Sequence, residues 1–209
     1  MAKTKPTSRR CQKERTELTR LRLLEAAEAV FIRDGFQAAK LEDIAKAAGY
    51  TRGAFYANFQ SKEDLFITVA ERQLKGLTDK LRTAVLSASG VNKKSQAVLQ
   101  IVQESAAARR WAMLLLEFDL FFLRQPSLKQ RVRPMQARLL SGIKAVFRDL
   151  YATANRRPPI SLAVVSLGFG AIFQGLTLQK ILNPKLVSSA EIAAVLNRYI
   201  DAMLSAGEG

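Results

Sequence analysis

Apolar residues recur three and four positions apart along most of the chain, and nowhere do they alternate over the length of a strand. Leu21, Leu24, Ala27 and Phe31 mark a first helix, which Gly35 ends just after Arg33 as a left-handed C-terminal residue would. Two short helical patterns follow. One runs from about Leu41 to Ala48 and stops at Gly49; the other runs from about Arg52 to Asn58, with Thr51 as its N-cap. Ser61, with Asp64 as reciprocal acid, opens a longer helix through Phe66, Val69, Leu74, Leu77, Leu81 and Val85, broken at "SASGVNKKS".

The second half keeps the same period. A helix from Ser95 to about Ala107 leads into Trp111, Leu115, Phe118 and Phe122, closed by Pro126. Leu139, Ile143, Val146, Leu150 and Tyr151 define the next, where Pro134 predicts a kinked or non-helical Arg133. Pro158 and Pro159 begin an uncharged helix that Asn183-Pro184 ends. Ser188 and Glu191 form a capping box for a last helix with Ile192, Leu196, Tyr199, Ile200 and Met203 on one face. The fold class is all-α. The uncharged helix is long enough to cross about 30 Å of hydrocarbon. Its Ser161, Ser166, Gln174 and Thr177 would lose water there, so it reads as a buried helix, and no membrane partner is expected.

Charge adds a partner. Lys and Arg number 33 against 18 acids, a net +15 that favours polyanions. His is absent and Cys11 is the only cysteine, which excludes cysteine zinc sites, His-mediated acid/base chemistry and Ser-His-Asp triads. No metal, cofactor or enzymatic activity is expected, and one thiol fits a reducing cytoplasm. The opening "MAKTKPTSRRCQKER" has no apolar core for a secretory signal; residues 1–15 read as a flexible basic arm, with Arg9 and Arg10 able to meet phosphates.

The stretch "LEDIAKAAGYTRGAFYANFQSKEDLF" (41–66) carries the function. Two helices crossing over a tight turn need a small residue at the crossing, here Ala45, and a glycine in the turn, here Gly49. Ile44, Ala48, Tyr50 and Phe55 then face inward. Thr51, Arg52, Gly53, Tyr56 and Asn58 are left on the outer face of the second helix, available to a DNA major groove. Small residues let the backbone approach base edges, while Thr51, Tyr56 and Lys62 reach flanking phosphates. Arg52 suits a guanine edge and Asn58 an adenine edge. The alternative is a plain helical hairpin whose glycine and alanines serve internal packing.

These residues resemble the TetR family of bacterial transcriptional regulators over about 17–66: Gly35-Phe36, Asp43-Ile44-Ala45, Ala48-Gly49, Phe55-Tyr56, Phe59 and Ser61 to Leu65 match its motif in order. The resemblance implies an N-terminal three-helix helix-turn-helix domain, a helical-bundle ligand and dimerisation domain, and repression relieved by a small-molecule effector. The division expected is 1–15 arm, 16–62 DNA-binding domain and 63–209 ligand and dimerisation domain. Where the family commonly has Thr or Ser before the second helix, this chain has Ala39 and Lys40; Lys40 supplies the phosphate contact by charge. A homodimer on palindromic double-stranded DNA follows from the same resemblance.

Gly168, Ala171 and Gly175, with Ile192, Leu196, Tyr199 and Met203, form the expected four-helix dimer interface, the alternative being burial of both helices inside one subunit. Trp111, Leu115, Phe118, Phe122, Phe147, Tyr151, Phe169 and Phe173 either line an apolar ligand pocket or fill the core. Glu117 and Asp119 either favour a cationic effector or pair with Arg110 and Arg124 or face water; Lys129, Arg131, Arg133 and Arg138 either attract an anionic effector or form a solvated face. Effector charge and identity are left open.

Overall fold

The computed structural model describes residues 8–206, with side chains from Gln12 onward. All regular structure among the described residues is helical: α1 (Ser8–Ala38), α2 (Leu41–Ala47), α3 (Arg52–Tyr56), α4 (Lys62–Ser87), α5 (Val91–Ala107), α6 (Arg109–Arg124), a 3-10 turn (Pro126–Leu128), α7 (Lys129–Ala154), α8 (Leu162–Leu182) and α9 (Ser189–Ser205). The chain forms two compact units, Met1–Glu71 and Arg72–Gly209, so the division falls nine residues later than the sequence boundary at 62. Helix α4 is continuous across it, which is why no break in composition marks the place.

In the first unit Phe31, Phe36, Phe55, Phe59 and Phe66 are almost wholly buried around Leu23, Ile44 and Leu65. Phe36 stacks on Phe66 at 4.4 Å and Phe31 meets Phe66 edge-on at 5.2 Å. Each buried ring contributes about 1.5–3 kcal/mol. Gly35 does interrupt α1, but at φ 77°, ψ 165° rather than in the left-handed helical well, and a further turn follows it. The helix also begins at Ser8, so residues 8–15 continue α1 instead of forming an arm; residues 1–7 lie outside the described residues.

In the second unit α9 packs on α5 and α8, and α7 on α8. Ile192, Leu196, Ile200 and Leu204, four apart on α9, close one core with Val98, Val102, Phe147, Leu150, Tyr151, Val165 and Phe169. Two hydroxyls pin it: Tyr151 donates to Met203 O at 2.8 Å and Tyr199 to Val165 O at 2.7 Å. Burial raises the proton affinity of both phenols, so both stay neutral donors. The Ser188–Glu191 capping box forms on both sides, and accepting the Ser188 N–H holds the Glu191 carboxyl below the usual range.

Three element expectations are corrected. Helix α5 starts at Val91, not Ser95, because Gly90 at φ 80° ends the break early. Helix α8 starts at Leu162 behind an Ser161 cap, which leaves Pro158 and Pro159 outside it. Helix α7 runs through Pro134 and keeps Arg133 helical. Pro134 lies in the second turn on the exposed side, where water can satisfy the one carbonyl it frees.

Candidate nucleic-acid interface and ligand cleft

The turn between α2 and α3 is built as the spacing requires. Tyr50 N–H bonds Ala45 O at 2.9 Å and Gly49 N–H bonds Lys46 O at 3.1 Å, a Schellman closure with Gly49 at φ 76°. Ala45 and Ile44 are buried at the crossing and Phe55 is fully buried from α3. Tyr50 is tied to α1 through the Thr19 hydroxyl at 3.4 Å. Thr51 is the N-cap of α3, its Oγ1 accepting from Ala54 N at 3.3 Å.

The outer face carries Thr51, Arg52, Gly53 and Tyr56, all exposed. Gly53 has an ordinary helical backbone. A Cβ built on it would meet nothing nearer than Thr51 Oγ1 at 3.7 Å. Internal packing therefore does not require glycine there, although glycine costs about 1 kcal/mol of helix propensity relative to alanine. Arg52 is held between two neighbours: Nη1 lies 2.8 Å from Glu42 Oε1 of α2, and Nη2 lies 3.3 Å from the Tyr56 hydroxyl. Glu42 was not singled out in the sequence, since its contact with Arg52 depends on how α2 and α3 cross. Lys40 is exposed ahead of α2 and makes no side-chain cap.

Two sequence assignments change here. Lys62, expected at a phosphate, is engaged inside the unit: its ammonium donates to Phe36 O at 2.9 Å, Ala39 O at 3.1 Å and Gln37 O at 3.2 Å, and stands 4.7 Å from the Phe36 ring centre. Those three bonds use all three of its donors to satisfy the carbonyls after Gly35. Asn58 turns back on α3, its Nδ2 donating to Ala54 O at 2.8 Å, and its backbone carbonyl accepts Arg20 Nη1. That is not the pose of a two-point adenine contact. Arg20 also covers the Phe59 ring at 4.3 Å, clamping the end of α3 to α1.

In the second unit the aromatic set divides. Phe147, Tyr151 and Phe169 belong to the core, with Phe173 packed partly against it, so they do not line a pocket. Phe118 and Phe122 line an open cleft of about 490 Å³ between α6, α7 and α8, together with Leu116 and Val132. Trp111 and Leu115 are half-buried elsewhere on α6. The cleft also holds Asp119, Lys129 and Arg133, and Gln174 Nε2 donates to Asp119 Oδ2 at 2.6 Å. Burial raises the Asp119 carboxyl above its ordinary range, and the Gln174 bond opposes this in part. No group of three or more His, Cys, Asp or Glu side chains is placed to hold a metal among the described residues.

The dimer set also divides. Ile192 and Leu196 are fully buried inside the single chain, so they cannot meet a second one. Gly168 faces inward as well: a Cβ there would lie 2.5 Å from the Tyr199 hydroxyl, which makes the glycine and Tyr199 partners within the protomer. Met203 is half-buried against the same core. Ala171 and Gly175 are exposed, in line with Val164, Leu167 and Leu182.

Residues 23–69 match the family of bacterial regulatory proteins of the tetR family, and residues 92–205, over half the chain, match the C-terminal domain of BetI-type transcriptional repressors. The HTH-type transcriptional regulator BetI of Vibrio campbellii is 25% identical over 196 residues, covering 90% of this chain and 94% of its own. Two solved structures share the fold: a transcriptional regulator from Saccharomonospora viridis in complex with choline, and FadR from Bacillus subtilis in complex with stearoyl-CoA. The first has TM-score 0.71 and 17% identity, covering 87% of this chain and 95% of that one. The second has TM-score 0.68 and 17% identity, covering 89% and 98%. The chain belongs to the TetR family of bacterial regulatory proteins and is a DNA-binding transcriptional regulator with a BetI-type C-terminal domain.

Proposed function

We propose that the chain is a cytoplasmic homodimeric repressor that reads a palindromic operator through α3 and leaves it when a small molecule occupies the second unit. Gly53 carries the DNA-reading part. It weakens a five-residue helix, nothing inside the unit needs it, and it stands on the exposed face beside Thr51 and Arg52. A missing side chain at that place serves close approach of another surface, and base edges are such a surface. Thr51, Tyr56 and Lys40 flank it and supply phosphate contacts.

The effector reading rests on the cleft beside Phe118 and Phe122. Its 490 Å³ falls in the range of small-molecule sites. Choline and a long-chain acyl-CoA, found in the two structural relatives, are the first compounds to test. Helix α4 begins in the first unit and continues into the second, so a shift along it is the route by which occupancy changes operator affinity. A coupling of about 1–3 kcal/mol suffices.

Gly53→Ala separates the DNA reading from a packing role. The methyl group raises folding stability by about 0.5–1 kcal/mol. The same methyl lowers affinity for a duplex selected from a random pool, by about tenfold or more if it displaces one base-edge contact. Retained affinity in the stabilised variant, measured by anisotropy, would remove α3 from the reading surface.

A further inference from the structure

The outer face of the helix-turn-helix holds an ion pair that the reading of α3 does not use. Arg52 Nη1 lies 2.8 Å from Glu42 Oε1, with side chains about 60% and 57% exposed. Glu42 Oε2 has no hydrogen-bond partner among the described residues, and the guanidinium has five donors, of which Glu42 and Tyr56 use two. The pair therefore offers outward, side by side, unspent donors from α3 and an unspent acceptor from α2.

A carboxylate on a DNA-facing surface costs affinity for every sequence, because it sits among phosphates. Folding returns only a small part of that cost: the ion pair is exposed and contributes little, and Glu42 in the first turn of α2 gains a little from the helix N-terminus. The larger return is in recognition. In the major groove guanine presents two acceptors, N7 and O6, and its paired cytosine presents one donor, the N4 amino group. Arg52 supplies two donors for the guanine while Glu42 supplies the acceptor for the cytosine.

We infer that Glu42 and Arg52 together read one G·C base pair, Glu42 being a specificity-determining residue that fixes which strand carries the guanine. The inference rests on the reading of α3 as the DNA-facing helix. Arg52 alone would accept guanine wherever its flexible side chain reached. Tied to Glu42, it is held with guanine toward α3 and cytosine toward α2. The Tyr56 ring, 5.6 Å from the guanidinium carbon, limits the third direction.

The test selects bound duplexes from a pool of randomised sequence with the full-length protein and its Glu42→Ala, Glu42→Gln, Arg52→Ala and Glu42→Ala/Arg52→Ala variants. The parent is expected to recover, in each half-site, a G·C pair of fixed orientation. Glu42→Ala and Arg52→Ala are expected to relax that same position, each by on the order of 5- to 150-fold in discrimination. The double variant should relax it little further, since the two act as one reader. Glu42→Gln keeps an acceptor oxygen and removes the charge, so it should retain part of the preference and bind a random duplex more tightly. If Glu42→Ala changes affinity for all duplexes equally, or relaxes a position different from that of Arg52→Ala, the paired reading is wrong. If neither Glu42→Ala nor Arg52→Ala alters any position while Gly53→Ala still lowers affinity, α3 faces DNA but this pair does not read it. If Gly53→Ala is also silent, the underlying reading of α3 fails with it.

Discussion

Lys62 shows how a single ammonium can be taken for one role and fill another. By type and place, a lysine at the first turn of the helix after α3 suits a phosphate; in the fold it holds the carbonyls of Phe36, Gln37 and Ala39, and through them the chain between α1 and α2. Hydrogen bonds to a charged group are worth about 1.5–3 kcal/mol each, though three sharing one ammonium are not additive. Lys62→Met keeps the stem and removes all three. It should lower stability by about 2–4 kcal/mol, read as a denaturant midpoint. The slope of log affinity against log salt should stay as in the parent when measured on folded protein; a phosphate contact would lower it by about one unit. A variant of unchanged midpoint and reduced slope would return Lys62 to the DNA. The sequence could not decide this, because the three carbonyls lie 23 to 26 residues away and are exposed only by the break at Gly35. The residues legible from sequence were those with local causes: Thr51 as a cap, Gly49 at positive φ, Phe55 turned inward.

Among elements, legibility followed the same division. Period and caps revealed each helix among the described residues, because both are set within a turn or two of the residue concerned. The starts of α1, α5 and α8 fell elsewhere than expected. Which face of a helix meets which neighbour is set by distant chain, and there the readings split. Aromatic residues spaced alike on α6 and α7 came to lie in a cleft in one case and in the core in the other. Asp119 is the residue of the cleft whose state depends most on that packing. Burial raises its carboxyl, so the folded state binds the proton more tightly than the unfolded chain does. Stability on that account is full below the ordinary carboxylate range and is lost as pH rises through the raised value. Asp119→Asn removes the ionisation and keeps an oxygen for Gln174 Nε2. Its melting temperature should exceed the parent's at neutral pH, and the gap should close in acid. A lower melting temperature at neutral pH would mean that Lys129 and Arg133, which line the same cleft, depend on the Asp119 charge.

At the scale of the whole molecule the unsolved surface is α8. It is 21 residues long with mean hydropathy 1.5 in its most apolar window, and only 22% of that window is buried inside the chain. Such a helix is apolar enough to need cover on nearly every side. Val164, Leu167, Ala171, Gly175 and Leu182 form its outward stripe, with Val164 52%, Leu167 58% and Leu182 62% exposed. The two small residues in the middle allow a second helix to come close, which is how two copies of α8 would pack across a two-fold axis. The other stripe first read as an interface, Ile192 and Leu196, already closes the protomer's own core. The two stripes therefore give opposite outcomes when charged. On the proposed homodimer, Leu167→Asp should leave helical content and melting cooperativity near the parent's and shift the sedimentation-equilibrium mass from that of two chains to that of one. With the two α3 helices uncoupled, binding to a palindrome should fall toward that of a single half-site. Leu196→Asp should instead unfold the second unit, since it buries an unpaired carboxylate. A Leu167→Asp protein that still sediments as a dimer would place the dimer contact elsewhere and leave α8 to be covered by something other than a second copy.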